Sequence, residues 1–282
     1  MKKRILILSV FIASASIILF SCNKDKAKSA NENKDTDEIV ASSQKEAIAQ
    51  MTFENVDQIA DEVYSNLSTS NKSSQNSNSL LGPCATKSLD TISVPHILTI
   101  NFGNTNCLCN DGKNRRGEII ISFMGHYRDS GSVHSTSFNN FYVNDNHVLG
   151  TRTRVNNGRN SSGHYTVTST INSTIIFNTS GDTLIWNANH TKEWLHGYLS
   201  PNFIDDTYLI TGNSNGNKLN GVTYNKTILI PLKRVYSCFY FVSGSVQIVK
   251  TNKPTKVIDY GNGNCNPWAT VTVNGVTHTI HL

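Results

Sequence analysis

The chain has 282 residues, enough to bury a sizeable core, and a formal charge of +5. No basic patch interleaved with aromatics occurs, which argues against nucleic acid as a partner. Lys2, Lys3 and Arg4 supply three of the 25 basic residues; without them 22 basic side chains face 20 acidic ones, and the charge falls to +2.

Those three cations open the chain as a positive n-region, and Ile5 to Phe20 follows as an apolar run broken by small residues. The run is too short to span a bilayer comfortably, which takes ~20 apolar residues. It ends in Leu19-Phe20-Ser21-Cys22, the arrangement of a bacterial lipobox, with a small residue directly before the cysteine. Cys22 is therefore the expected lipidation site and new N-terminus after residues 1–21 leave as a signal peptide. Each buried methylene contributes ~0.8 kcal/mol, so two or three acyl chains (palmitate among them) anchor durably without spanning. Asn23-Lys24-Asp25-Lys26 resembles a surface-export signal, with one acid where a cluster is usual. The expected location is the cell outer membrane, surface-exposed, with a periplasm-facing orientation as the alternative.

Residues 22–38 are Lys, Asn, Asp, Glu and Ser with little to bury, and read as a flexible tether. Residues 39–67 read as an amphipathic helical segment: Val56, Ile59, Ala60, Val63, Tyr64 and Leu67 form one stripe, with Asn55 as a cap. The stripe docks on the protein's own domain or serves as a surface for a partner. Residues 68–79 are a Ser/Asn linker.

From residue 80 to 282 the texture becomes short alternating stretches of Thr, Val, Ile and aromatics, divided by Gly and Asn. No helical pattern separates them. The expected fold is all-β, an antiparallel meander forming a β-sandwich or a strongly curled sheet, preceded by a short N-terminal helix. Expected strands include Glu118 to Arg128, Ser132 to Val143, Leu184 to Asn189, Trp194 to Leu199 and Ser237 to Val242. At the C-terminus, Asn274-Gly275 predicts a type I′ hairpin in which Val273 faces Val276, Val271 faces His278 and Ala269 faces Ile280. A motif recurs: Thr99 to Cys107 and Val257 to Cys265 each run a strand into a Gly/Asn turn that ends on cysteine.

Several segments carry a family resemblance. They are Ile100 to Gly117 (with Phe102-Gly103, Cys107, Asp111-Gly112 and Arg116-Gly117), Phe141-Tyr142-Val143-Asn144, Gly150-Thr151-Arg152, Asp206-Thr207-Tyr208 with Ile210-Thr211-Gly212, and Asp259-Tyr260-Gly261-Asn262-Gly263. Together they resemble a family of Bacteroidota cell-envelope lipoproteins over residues 84–282. The resemblance implies an intact lipoprotein domain and supplies no catalytic residues. Asn266 stands after the final cysteine, where that family has an acid.

Five cysteines remain besides Cys22. Outside the cytoplasm they are expected to pair, Cys238 with Cys265 and Cys84 with Cys107 or Cys109, leaving one thiol. A metal site on Cys107-x-Cys109 lacks the second ligand pair that zinc needs, so no metal and no cofactor is expected. His126, His134, His147, His164, His190 and His196 are scattered. Asp205-Asp206 is an adjacent acid pair in the β-region; on a strand its members point to opposite faces and cannot alone flank one glycosidic bond, and a turn or calcium ligation explains the pair equally well. Trp186, Trp194, Tyr198 and Tyr208 read as core packing or, if exposed, as a sugar-stacking platform. Asp90-Thr91-Ile92 and Asp182-Thr183-Leu184 match a short O-glycosylation acceptor pattern at Thr91 and Thr183.

The functional expectation is a lipid-anchored, non-catalytic envelope module, structural or ligand-binding, with a glycan or an envelope protein as partner. The alternatives are a polysaccharide-active envelope enzyme with a site assembled from distant loops, and an accessory subunit of an outer-membrane assembly.

Overall fold

Alternation of apolar with Ser, Thr or Asn side chains selects strands over helix through most of the chain. In the computed structural model, which describes residues 24–68 (side chains from Asp37), 79–200, 205–217 and 222–282, one helix precedes fourteen strands. The helix is α1 (Lys24–Ser68). The strands are β1 (Thr86–Asp90), β2 (His96–Asn101), β3 (Cys107–Leu108), β4 (Asn114–Phe123), β5 (Val133–Val143), β6 (Asn146–Arg159) and β7 (Tyr165–Ile176). They continue as β8 (Thr183–His196), β9 (Thr207–Asn217), β10 (Thr223–Val235), β11 (Ser243–Lys250), β12 (Lys256–Asn262), β13 (Trp268–Val273) and β14 (Val276–His281).

Apart from β3, which pairs only with β4, the strands follow one another in a single antiparallel meander whose edges are β1 and β14. The expected all-β meander is present, and the sheet is not closed on itself. The C-terminal hairpin has the expected register, Val273 opposite Val276, Val271 opposite His278 and Ala269 opposite Ile280. Asn274 and Gly275 take φ of 49° and 78°, as a type I′ turn demands. The recurring motif also has a common physical basis. Asn101 Oδ1 and Asp259 Oδ1 each accept the N–H of the glycine two residues on, both at 2.7 Å.

Some expectations need correction. The helix is 45 residues long, not short. Its first part, Lys24 to Glu38, is helical where a flexible tether was expected, because Ala, Lys and Glu favour helix and extension of a formed helix needs no new nucleus. Asn55 is no cap; it lies in mid-helix and accepts Arg234 Nη2 at 2.8 Å. Ser237 to Val242 is a loop between β10 and β11, since Cys238 is tied to Cys265 and Phe239 turns onto the core. Trp194 belongs to β8, which runs unbroken to His196. The signal segment, Cys22 and most of the Ser/Asn linker lie outside the described residues.

The chain divides into two units, Met1–Ile39 and Val40–Leu282. The second contains the whole sheet and the rest of α1. There every residue from Ala49 to Ala60 is buried, about three turns of helix. A helix lying on a flat sheet leaves one face in water; this one has none, so the sheet is strongly curled around it. Phe53, Val56, Ile59, Ala60 and Val63 join a core with β2, β4, β5, β7 and β8, while Ala47 and Met51 join a second core with β8 to β14.

Candidate functional site

The interior of the curled sheet is charged. On β6, β8, β10 and β12 the inward positions include Arg152, Arg154, Lys192, Lys226, Arg234 and Lys256, all buried. They meet acids and amides of α1. Arg152 donates to Asp57, to the Phe53 carbonyl at 3.0 Å and to Ser169 Oγ at 3.0 Å. Arg154 donates to Asp61 at 2.9 Å, and Lys192 to Glu54 at 2.7 Å and Asp57 at 3.3 Å. Arg234 donates to Asn55 and Gln58, and Lys250 and Lys256 both pair with Glu46. Tyr208 and Tyr236 donate to Glu54 at 2.6 Å and Glu62 at 2.8 Å. Lys226 reaches the Glu46 carbonyl at 3.4 Å and lies over the Trp186 ring, 4.5 Å from its centroid.

The electrostatics follow from burial against pairing. Burial raises the Asp57 carboxyl, but Arg152, Arg154 and Lys192 outweigh it and hold it below its ordinary range. Asp61 is likewise drawn down to about 2, chiefly by Arg154 against its burial. For Glu62 burial wins: it raises the carboxyl despite bonds from Ser79 and Tyr236 and the pull of Lys87. Burial lowers Lys226 to about 7 and Lys256 to about 8.

A cavity of ≈20 Å³, room for about one water molecule, opens beside Asp61, Tyr127, His134, Arg154, Trp194 and Tyr198. Burial and Arg154 hold His134 down to about 4, and burial pushes Tyr198 up to about 12, so neither changes charge near neutrality. Asp206, which accepts Trp194 Nε1 at 3.4 Å, is pushed up to about 7 by burial. Among the described residues its Oδ1 has no hydrogen-bond partner. The cavity has the size of a solvent molecule and is too small for a sugar ring.

Cys84 pairs with Cys107 and Cys238 with Cys265, which resolves the alternative at Cys84 in favour of Cys107. Cys109 is the remaining buried thiol. Its Sγ donates to the Cys107 carbonyl at 3.5 Å. No group of three or more metal-ligating side chains occurs among the described residues. Asp205 is exposed and Asp206 buried; both precede β9, which begins at Thr207. Trp186, Trp194, Tyr198 and Tyr208 are all buried, so they pack the interior and form no sugar platform. The helical stripe is also internal: Val56, Ile59, Ala60 and Val63 are within 3% of full burial, which removes it as a partner surface. Thr91 is exposed in a turn fixed by Asp90, whose carboxylate accepts the Ile92 and Ser93 N–H groups at 2.8 and 3.1 Å. Thr183 is half-buried at the start of β8.

Sequence reasoning missed the ion network, although its signal was present. Arg152, Arg154, Lys192 and Lys226 share strand parity with inward apolar residues such as Val148, Trp186 and Tyr224. No protein-family model, no curated protein and no solved structure matches this chain.

Proposed function

We propose that the chain is a lipid-anchored module of the bacterial cell envelope, held in the outer membrane through Cys22, and that it binds or scaffolds rather than turning over a substrate. One observation carries the non-catalytic part: the place where a curled sheet would receive a ligand is filled by the protein's own helix, with the charges of the two paired to each other. The lipobox carries the anchor. A partner then meets the outside of the sheet or its loops.

Intact-mass analysis of protein extracted from the envelope of its native cell tests this reading. The expected mass is that of residues 22–282 plus a diacylglycerol and an acyl chain, in the membrane fraction, with any added glycan mapping to Thr91. Recovery as unlipidated protein in the soluble fraction would overturn the anchor. Release of new reducing ends from envelope polysaccharide by the purified protein would overturn the non-catalytic reading.

A further inference from the structure

The polarity of this sheet is distributed in an unusual way: Arg152, Arg154, Lys192 and Lys226 face inward, and two outward rows across β5 to β10 are neutral. Register places Ser135, Thr153, Thr170, Asn189, Asn213 and Thr227 in one continuous row across β5 to β10. All six are exposed. The next row, Thr151, Asn172, Asn187, Asn215 and Asn225, repeats the chemistry. None of these side chains is charged. Their chain neighbours Arg152, Arg154 and Lys226, and Lys192 further along β8, point the other way, into the interior.

From these rows we propose that the outer face of β5 to β10 is a docking surface for a neutral polysaccharide. The inference rests on the non-catalytic reading above and names its ligand class. Three properties select that occupant. Anionic polymers are captured by cations, and these rows offer none; Lys233, half-buried opposite Leu209, lies beyond them. An apolar lipid surface would leave a dozen or so hydroxyl and amide groups without water. Sugar hydroxyls, by contrast, both donate and accept, as do Ser, Thr and Asn side chains. Spacing agrees: neighbouring strands lie ~4.8 Å apart, close to the rise of an extended β-linked glycan, so successive sugars laid across the strands meet successive polar side chains. Thr170 already donates to Asn189 at 3.2 Å, so adjoining members of a row stand within reach of one ligand hydroxyl. At the border of the field, the irregularity in β10 between Thr227 and Leu232 turns Leu229 and Ile230 outward, 51% and 57% exposed. They offer an apolar contact to the C–H faces of the rings.

The test is depletion of the full detergent-solubilised chain by particles of curdlan, mannan and xylan, with alginate and polygalacturonate as acidic counterparts. The expected result is retention on at least one neutral polymer, equal at low and high salt. The double variant Thr153→Lys/Asn189→Lys, and separately Asn213→Lys, should weaken retention about tenfold. Thr279→Lys, on β14 outside the field, should not. The single variant keeps the test open should the double one misfold. Lack of retention on every neutral polymer, equal retention of the variants, or salt-sensitive preference for the acidic polymers overturns the proposal. Retention without new reducing ends supports both readings, whereas release of reducing ends overturns the non-catalytic reading and lack of retention overturns this one, so the two fail separately.

Discussion

Asp57 stands where cations from two strands converge: Arg152 and Lys192 donate to it and Arg154 lies 3.7 Å away. Such a group holds the helix in register as much as it stabilises, since a displaced carboxylate would leave buried Arg152 without an acid and Arg154 and Lys192 with one each. Asp61 and Asp206 respond to pH in opposite directions. The Asp61 carboxyl, at about 2 when folded against 3.8 ordinarily, contributes stability above the ordinary value that is lost as pH falls toward 2. Asp206 is the reverse case. Its folded value of about 7 lies above the ordinary 3.8, so its contribution is complete below about pH 4 and is lost as pH rises through 7. At pH 8 the folded protein therefore holds a buried carboxylate that, among the described residues, accepts only Trp194 Nε1. Asp206→Asn, which keeps the shape and removes the charge, should raise the urea midpoint at pH 8 and change it little at pH 5. A midpoint that drops equally at both pH values would show that the ionised form is favoured in the fold.

At the scale of elements, the helix is the unexpected part and the strands are the legible part. Strand positions followed from alternation, and the C-terminal hairpin from Asn274-Gly275, because both signals are local. The apolar stripe of α1 was legible for the same reason. What a stripe cannot reveal is whether the opposite face is also covered. Glu54, Asp57 and Glu62 look like a solvated face and are in fact 4%, 2% and 2% exposed, because Arg152 and Lys192, more than 80 residues away, turn inward to meet Asp57 and Glu54, while Ser79 and Tyr236 meet Glu62. Only parity within β6, β8 and β10 carried that information, and it has meaning only once the curl of the sheet is known. The consequence is quantitative. Ile59→Ala should cost ~2–5 kcal/mol, as for other fully buried large-to-small changes. Leu67→Ala, at a position 36% exposed, should lie within ~0.5 kcal/mol of wild type. Chemical denaturation of the two variants separates an internal helix from one laid on the surface, which would show small effects at both sites.

For the molecule as a whole, the question is what covers the helix where the sheet leaves off. Two cysteine-bearing stretches converge there. From one side, Leu80 sends its N–H to Glu62 at 3.2 Å and takes Arg115 on its carbonyl at 3.4 Å, next to the Cys84–Cys107 pair. From the other, the loop after β10 brings Tyr236 to Glu62 and the Tyr236 carbonyl to Gln58, while Phe239 packs on the core that contains Leu80. The Cys238–Cys265 bridge pins that second loop to the turn after β12, so the disulfide secures a cover over the C-terminal half of the buried helix. Its loop spans a sequence separation of 27, for which the chain-entropy account gives ~3–4 kcal/mol. Global loss is only half of the expectation. If the loop is a cover, Cys238→Ala/Cys265→Ala should also speed amide exchange selectively in the helix from Asn55 to Val63, ahead of β6 to β8, whose ladders it does not touch. Exchange measured by mass spectrometry on the folded variant reads this directly. Uniform acceleration across sheet and helix would mean that the bridge only constrains the unfolded chain, and that the helix is held by its ion pairs alone.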